Sequence, residues 1–199
     1  AGIYGPLNSD ISSKIDLLSL SIGEIDHFVE QIHDVVVLGS RDEAPELELL
    51  DLSFTVEQVS NEMLEMAREK RISISLENLG NSRQVPFNEH WTRRALCNIM
   101  MFVLVTCHPG SRLVISLKES EKMVSVILSL VDGFDHTVDM EMMIDSMSEE
   151  EGARNTLDWE RLSLPISRSL MRAQGGDVRV IEEKGSVTGF SLELKDQGG

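Results

Sequence analysis

The chain has 199 residues, of which 34 are Asp or Glu and 18 are Lys or Arg, for a formal net charge of −16. An acidic surface of that size repels nucleic-acid backbones and anionic bilayers, which excludes both as partners. With 41% apolar residues the chain can bury a core, which excludes a wholly disordered protein. The two cysteines, Cys97 and Cys107, make no disulfide framework and suit a reducing setting. Cys107 and His108 are adjacent, but no second Cys/His pair stands nearby to complete a metal site, so they read as ordinary packing. No run of about 18 apolar residues and no basic leader ahead of an apolar stretch occurs, so neither a membrane span nor a signal peptide is predicted.

The first periodic signal is a heptad. Ile11, Ile15, Leu18, Ile22, Ile25, Val29, Ile32 and Val36 alternate steps of four and three, which holds one apolar seam against a partner helix. Pro6 fits a first turn and Gly39 a C-terminal stop, so a single helix is predicted over 6–38, with Gly23 as its weak point. A seam this long lacks partners within the chain and predicts pairing with a second copy. Residues 1–42 are therefore assigned to a helical dimerisation element and 43–199 to a compact α/β domain.

Within that domain Val56, Val59, Met63 and Met66 lie at helical spacing, and Ile72, Ile74 and Leu76 alternate as a strand. A helix is predicted over 89–105, with Trp91, Leu96, Ile99, Met100 and Val103 inward and His108-Pro109-Gly110 ending it. Strands are predicted over 112–118 and 123–131. Residues 133–160 are acidic, Met-rich and without period, and read as a long, partly ordered loop. A helix over 161–173 follows, capped by Gly175-Gly176. Strands over 177–183 and 187–194, joined at Lys184-Gly185, close the chain.

This order, one long helix and then α-β-α-β-β-loop-α-β-β, resembles a sensor histidine kinase. Phe87 to Met100, with Asn98 near its end, is similar to the family's helix carrying the N box. Ile166 to Val178 resembles its last helix and the glycine pair after it, and Gly185 to Leu194 its closing strand. Residues 46–76 are similar to the start of the catalytic domain, so the resemblance covers residues 7–195. It implies an α+β protein: a long helical dimerisation element followed by a Bergerat-type (histidine-kinase ATPase-like) α/β sandwich.

The resemblance also implies a Mg²⁺–ATP site, and here the sequence departs from the family. A hard cation takes oxygen ligands. Asn98 matches the first Asn of the N box, but the ligand position four residues on is Phe102. Asp132 matches the Asp that holds adenine, but Phe134 and His136 stand where the family has glycines. The second phosphate turn corresponds to Trp159 to Leu164, with bulky or charged side chains in place of glycines. No convincing phosphoacceptor box is present either; Tyr4 to Asn8 echoes only its tail, and helix 6–38 can equally correspond to the second bundle helix.

Asn98 and Asp132 are accordingly read as vestigial nucleotide-binding positions. Asn98 is expected to be a satisfied polar residue, and Asp132 either an adenine anchor or the cap of a turn. Phe102, Phe134 or Trp159 is expected to fill the vacated pocket. His33 and His27 flank the helical seam; as exposed imidazoles on a dimeric bundle they are the candidate phosphoacceptors, against a plain reading as polar flank. Met140 to Met147 reads as a docking surface or as a cover over the old pocket. No catalytic residue, no metal ligand and no cofactor is assigned; ATP and Mg²⁺ enter only if residual binding survives.

The sequence thus predicts a degenerate histidine-kinase-like module acting by dimerisation and partner docking in two-component signal transduction. Its partners would be a second copy, and another histidine kinase or a response regulator. The expected setting is the cytoplasm, or the soluble part of a longer receptor. The alternative is a histidine phosphotransferase or a weakly active sensor kinase.

Overall fold

The computed structural model of the chain describes residues 45–80, 83–131, 134, 159–183 and 186–195, together with Val29. The chain divides into two compact units, Ala1–Ser40 and Arg41–Gly199, and all of these residues except Val29 belong to the second. The predicted helix over 6–38, with His27 and His33, lies outside the described residues apart from Val29, which is helical and exposed. Asp132 and the Met-rich run 140–147 lie outside them as well.

The chain enters the second unit through a short strand, β1 (Glu48–Leu50), and Asp51 then starts helix α1 (Leu52–Glu69) by accepting a 2.9 Å hydrogen bond from the Ser53 amide. Leu52, Val56, Val59 and Ala67 are the apolar residues that α1 buries. The helix ends in a Schellman motif. The Ile72 amide bonds the Ala67 carbonyl at 2.8 Å and the Arg71 amide bonds that of Arg68 at 3.0 Å. The left-handed residue such a motif requires is Arg71, at φ 60°, where a side chain costs roughly 1–2 kcal/mol that glycine would not.

Strand β2 (Ser73–Glu77) follows, then β3 (Val85–Phe87) and helix α2 (Glu89–Thr106), whose N-cap Asn88 accepts from the Trp91 amide at 3.0 Å. Trp91, Leu96, Ile99, Met100 and Val103 are all buried, as predicted. Strands β4 (Arg112–Glu119) and β5 (Met123–Leu130) precede helix α3 (Trp159–Arg172), and β6 (Asp177–Glu183) and β7 (Ser186–Lys195) close the unit.

The main sheet runs β2-β4-β5-β7-β6, with β2 and β4 parallel and every other pair antiparallel. Leu113, Ile115, Val124, Val126, Leu128, Val178, Phe190, Leu192 and Leu194 alternate along their strands and are buried, forming the face that packs on the helices. The result is the two-layer α+β sandwich expected. Gly189 is required at its place: a Cβ there would run into the carbonyl of Leu128, beside the irregular register at Ile181/Glu182.

Three sequence expectations need correction. A small antiparallel sheet of β1 and β3 was not predicted, because three-residue strands carry too little alternation and Pro86 reads as a breaker. The last helix starts at Trp159, so residues 159 and 160 are helical rather than part of the 133–160 loop. Phe134 is also not simply loop, since it forms an antiparallel bridge with Cys107.

Candidate functional site

The site is built between α2, α3 and the inner face of the sheet. The Asn88 amide donates to Gln174 Oε1 at 2.8 Å, and Gln174 Nε2 donates to Thr92 Oγ1 at 3.1 Å. One turn further along α2, the Ser167 hydroxyl sits between the carbonyls of Ala95, at 3.2 Å, and Ser163, at 2.7 Å. Partners rise in number along α2 as they fall along α3, so the two helices are antiparallel. Asn98 and Phe102, on the next turns of α2, therefore lie toward the start of α3.

There the side chains are aromatic. Phe102 is 2% exposed and meets Phe190 of β7 edge-on, with ring centroids 5.8 Å apart. Phe134 meets the same Phe190 edge-on at 5.9 Å and is 8% exposed. Three phenyl rings from α2, from β7 and from just beyond β5 thus form one buried contact, a favoured arrangement for aromatic quadrupoles. Phe102 and Phe134, two of the residues expected to fill the old pocket, are thus brought against one ring; Phe190 carries no sequence signal of its own, because an alternating strand hides which of its inward residues meets them. Of Trp159 only the backbone, as the first residue of α3, is described.

Asn98 contradicts its expectation. It is fully buried, and neither its Oδ1 nor its Nδ2 has a hydrogen-bond partner among the described residues. The partner that the satisfied reading expects is therefore not supplied by the described residues, and the next turn of the helix offers only apolar side chains such as Met101 and Phe102. Asn98 and Phe102 are brought together here; Asp132 and the two histidines lie outside the described residues.

Cys107, which pairs with Phe134, has its thiol pushed up to about 11 by burial, against a hydrogen bond and the charge of Lys70 that act the other way. It is a protonated packing residue at neutral pH. No cluster of His, Cys, Asp and Glu suited to a metal ion occurs among the described residues. The position at which the resemblance calls for a Mg²⁺ oxygen ligand is Phe102, whose ring has no lone pair to give, so that position does not fit the ion.

The far end of α3 is fastened by charge. Arg168 Nε and Arg172 Nε reach Asp177 Oδ1 at 3.0 and 3.2 Å, and Arg179 Nε reaches Glu193 at 3.2 Å. Burial by itself would raise the Asp177 carboxyl. The hydrogen bonds from Arg168 and the Val178 amide, with the charges of Arg168 and Arg172, outweigh it and hold that carboxyl below its ordinary value. This cluster was not read from the sequence, although two arginines four apart ahead of Gly-Gly-Asp were a usable signal.

No protein-family model matches the chain, and no curated protein matches it in sequence. Solved structures do. The histidine kinase AdeS of Acinetobacter baumannii superposes with a TM-score of 0.67 at 15% identity, over 99% of this chain and 89% of that one. Full-length ShkA in complex with AMPPNP gives 0.70 at 20% identity, over 95% of this chain and 39% of that one. Histidine kinase ThkA in complex with the response regulator protein TrrA gives 0.68 at 16%, over 98% of this chain and 54% of that one. At such identities the likeness establishes architecture: the chain has the fold of the histidine kinases.

Proposed function

We propose that this chain is a histidine-kinase-like signalling module that works by dimerisation and partner docking in two-component signal transduction, without ATP-dependent phosphoryl transfer. The observation that carries the reading is the contact of Phe102, Phe190 and Phe134. Two of these phenyl groups occupy positions where the resemblance calls for a metal-ligating oxygen and a flexible glycine, and both are buried against the sheet. Charge supports it too. Residues 133–160 carry nine carboxylates and one cation, Arg154, and a triphosphate held beside them would meet like charge.

The two-component setting rests on the fold and on ThkA, a structural neighbour found with a response regulator. The heptad seam supports self-association, and a second kinase or a response regulator is the proposed partner. Titration calorimetry with ATP, with and without Mg²⁺, tests the loss of nucleotide chemistry. No heat of binding is expected, and Mg²⁺-dependent ATP binding would overturn the reading. Incubation with a phosphorylated response regulator tests the alternative; acid-labile phosphate on His33 or His27 would make the chain a phosphotransferase instead.

A further inference from the structure

The end of α1 carries an anomaly that the nucleotide site does not absorb. Arg68, Lys70 and Arg71 are consecutive but for Glu69, all exposed, and none of the three makes an ion pair with another described residue. Elsewhere the described arginines are engaged: Arg83 holds the carbonyl of Ser120, Arg93 pairs with Glu62, Arg112 with Glu77, Arg168 and Arg172 with Asp177, and Arg179 with Glu193. In a chain of net charge −16, three cations within four residues and without carboxylate partners among the described residues stand out.

Two of them have a ready account, since cations at a helix C-terminus oppose the macrodipole. Arg71 does not. It occupies the left-handed position of the Schellman motif at φ 60°, where glycine would be unstrained, so the backbone gains nothing from the side chain it carries. The surface is also fixed. The Arg71 carbonyl accepts from the Gly110 amide at 2.8 Å, Ser73 pairs with Arg112 in register, and the Lys70 charge acts on the Cys107 thiol. Helix end and 107–112 turn thus form one rigid corner.

We infer that this corner, Arg68, Lys70 and Arg71, is a docking surface for a short acidic segment of a partner protein. The size of the corner selects that class. One helical turn is about 5.4 Å long and the Debye length in physiological salt is about 8 Å, so the three cations are felt only by charges lying against them. Nucleic acid or an anionic bilayer extends far beyond that range and meets the acidic remainder of the chain. A segment with three or four carboxylates fits inside it. The inference is independent of whether the nucleotide site is degenerate.

The test uses the full chain and a fluorescein-labelled hexaglutamate peptide, read by anisotropy in 50 mM and 200 mM salt. The wild type is expected to bind, and to weaken at the higher salt. R68E/K70E is expected to lose at least tenfold in affinity while its melting curve stays that of a folded protein, and R179E, at a different corner, to bind as the wild type does. R71G discriminates most sharply: it relieves backbone strain, so its melting temperature should rise while its affinity falls. Absence of binding by the wild type would overturn the inference. So would equal affinity for R68E/K70E, a matching loss in R179E, or binding to phosphatidylserine vesicles in place of the peptide.

Discussion

Replacing Asn98 by leucine should stabilise this protein, although it removes a polar residue at a position the family resemblance would mark as functional. The Asn98 side chain is fully buried and its two amide atoms have no partners among the described residues. Each buried group left unsatisfied costs about 1–3 kcal/mol. Leucine has the same branching but more volume, and overpacking takes back about 1–3 kcal/mol. Its better helix propensity returns a few tenths. The balance is a gain of about 1–2 kcal/mol, which raises Tm by roughly 3–6 °C in a unit of this size. Urea unfolding followed by circular dichroism, with calorimetry for Tm, measures it. Asn98→Asp should do the reverse, since it buries a carboxyl without a partner. Destabilisation of 1 kcal/mol or more by Asn98→Leu would refute the reasoning, because it would mean that the amide has a partner in solution, such as a bound water or ligand.

The remaining predictions follow from equally local features. Arg71→Gly should stabilise by about 0.5–1 kcal/mol, the relief of left-handed strain less the extra chain entropy of glycine, as read from the urea midpoint. Phe134→Ala should cost about 3 kcal/mol, at the low end for a buried phenyl because Phe134 lies at the edge of the packed unit. It should restore no ATP binding by calorimetry, because Phe102 still lacks a ligand oxygen. Asp177 should make stability pH-dependent. Its folded carboxyl titrates below its unfolded value of about 3.9, so its contribution is complete above that pH and lost as pH falls through the lower, folded value. The stability gap between wild type and Asp177→Asn should therefore close as the pH is lowered from 5 to 2, and a gap that stays constant would remove Asp177 from the account.

Most of the architecture was legible because the elements are long enough to show their period. Helix α2 was readable from Trp91 to Val103 at helical spacing, and β5 from the alternation of Val124, Val126, Leu128 and Leu130. Strands β1 and β3 were not, since three residues cannot establish a period of two and Pro86 argues against a strand. In the site, Phe102 and Phe134 could be singled out by chemistry, as phenyl groups at positions where oxygen and glycine were expected. Phe190 could not, because on β7 it is one of several inward apolar residues, and only the packing of α2 and Phe134 against it shows its role. The state of Asn98 was misjudged for a related reason. Whether a buried amide is satisfied depends on partners from other elements, and spacing along one helix does not report them. The strained Arg71 was likewise invisible, since Arg-Ile at the end of a basic run looks like an ordinary helix stop.

The aromatic contact bears on stability as well as on nucleotide. A cleft between α2 and the sheet that is emptied of its ligand would leave a void, and cavities in packed cores cost about 24 cal/mol per Å³. Phe102, at 2% exposure, and Phe190, at 0%, meet from two elements, and the Phe134–Cys107 bridge brings the third ring from the chain beyond β5; on the proposed reading they close that space. None of these contacts needs a bound group to be complete. On the proposed reading, therefore, the fold does not depend on nucleotide for its integrity. A chain that still required nucleotide would behave in the opposite way: ATP would raise its Tm by mass action, and Phe134→Ala would raise its affinity for ATP by clearing the cleft. Melting curves of wild type and Phe134→Ala with and without millimolar Mg²⁺–ATP separate these cases, and coincidence of the ligand-free and ligand-bound curves within each of the two pairs is the outcome the packing predicts.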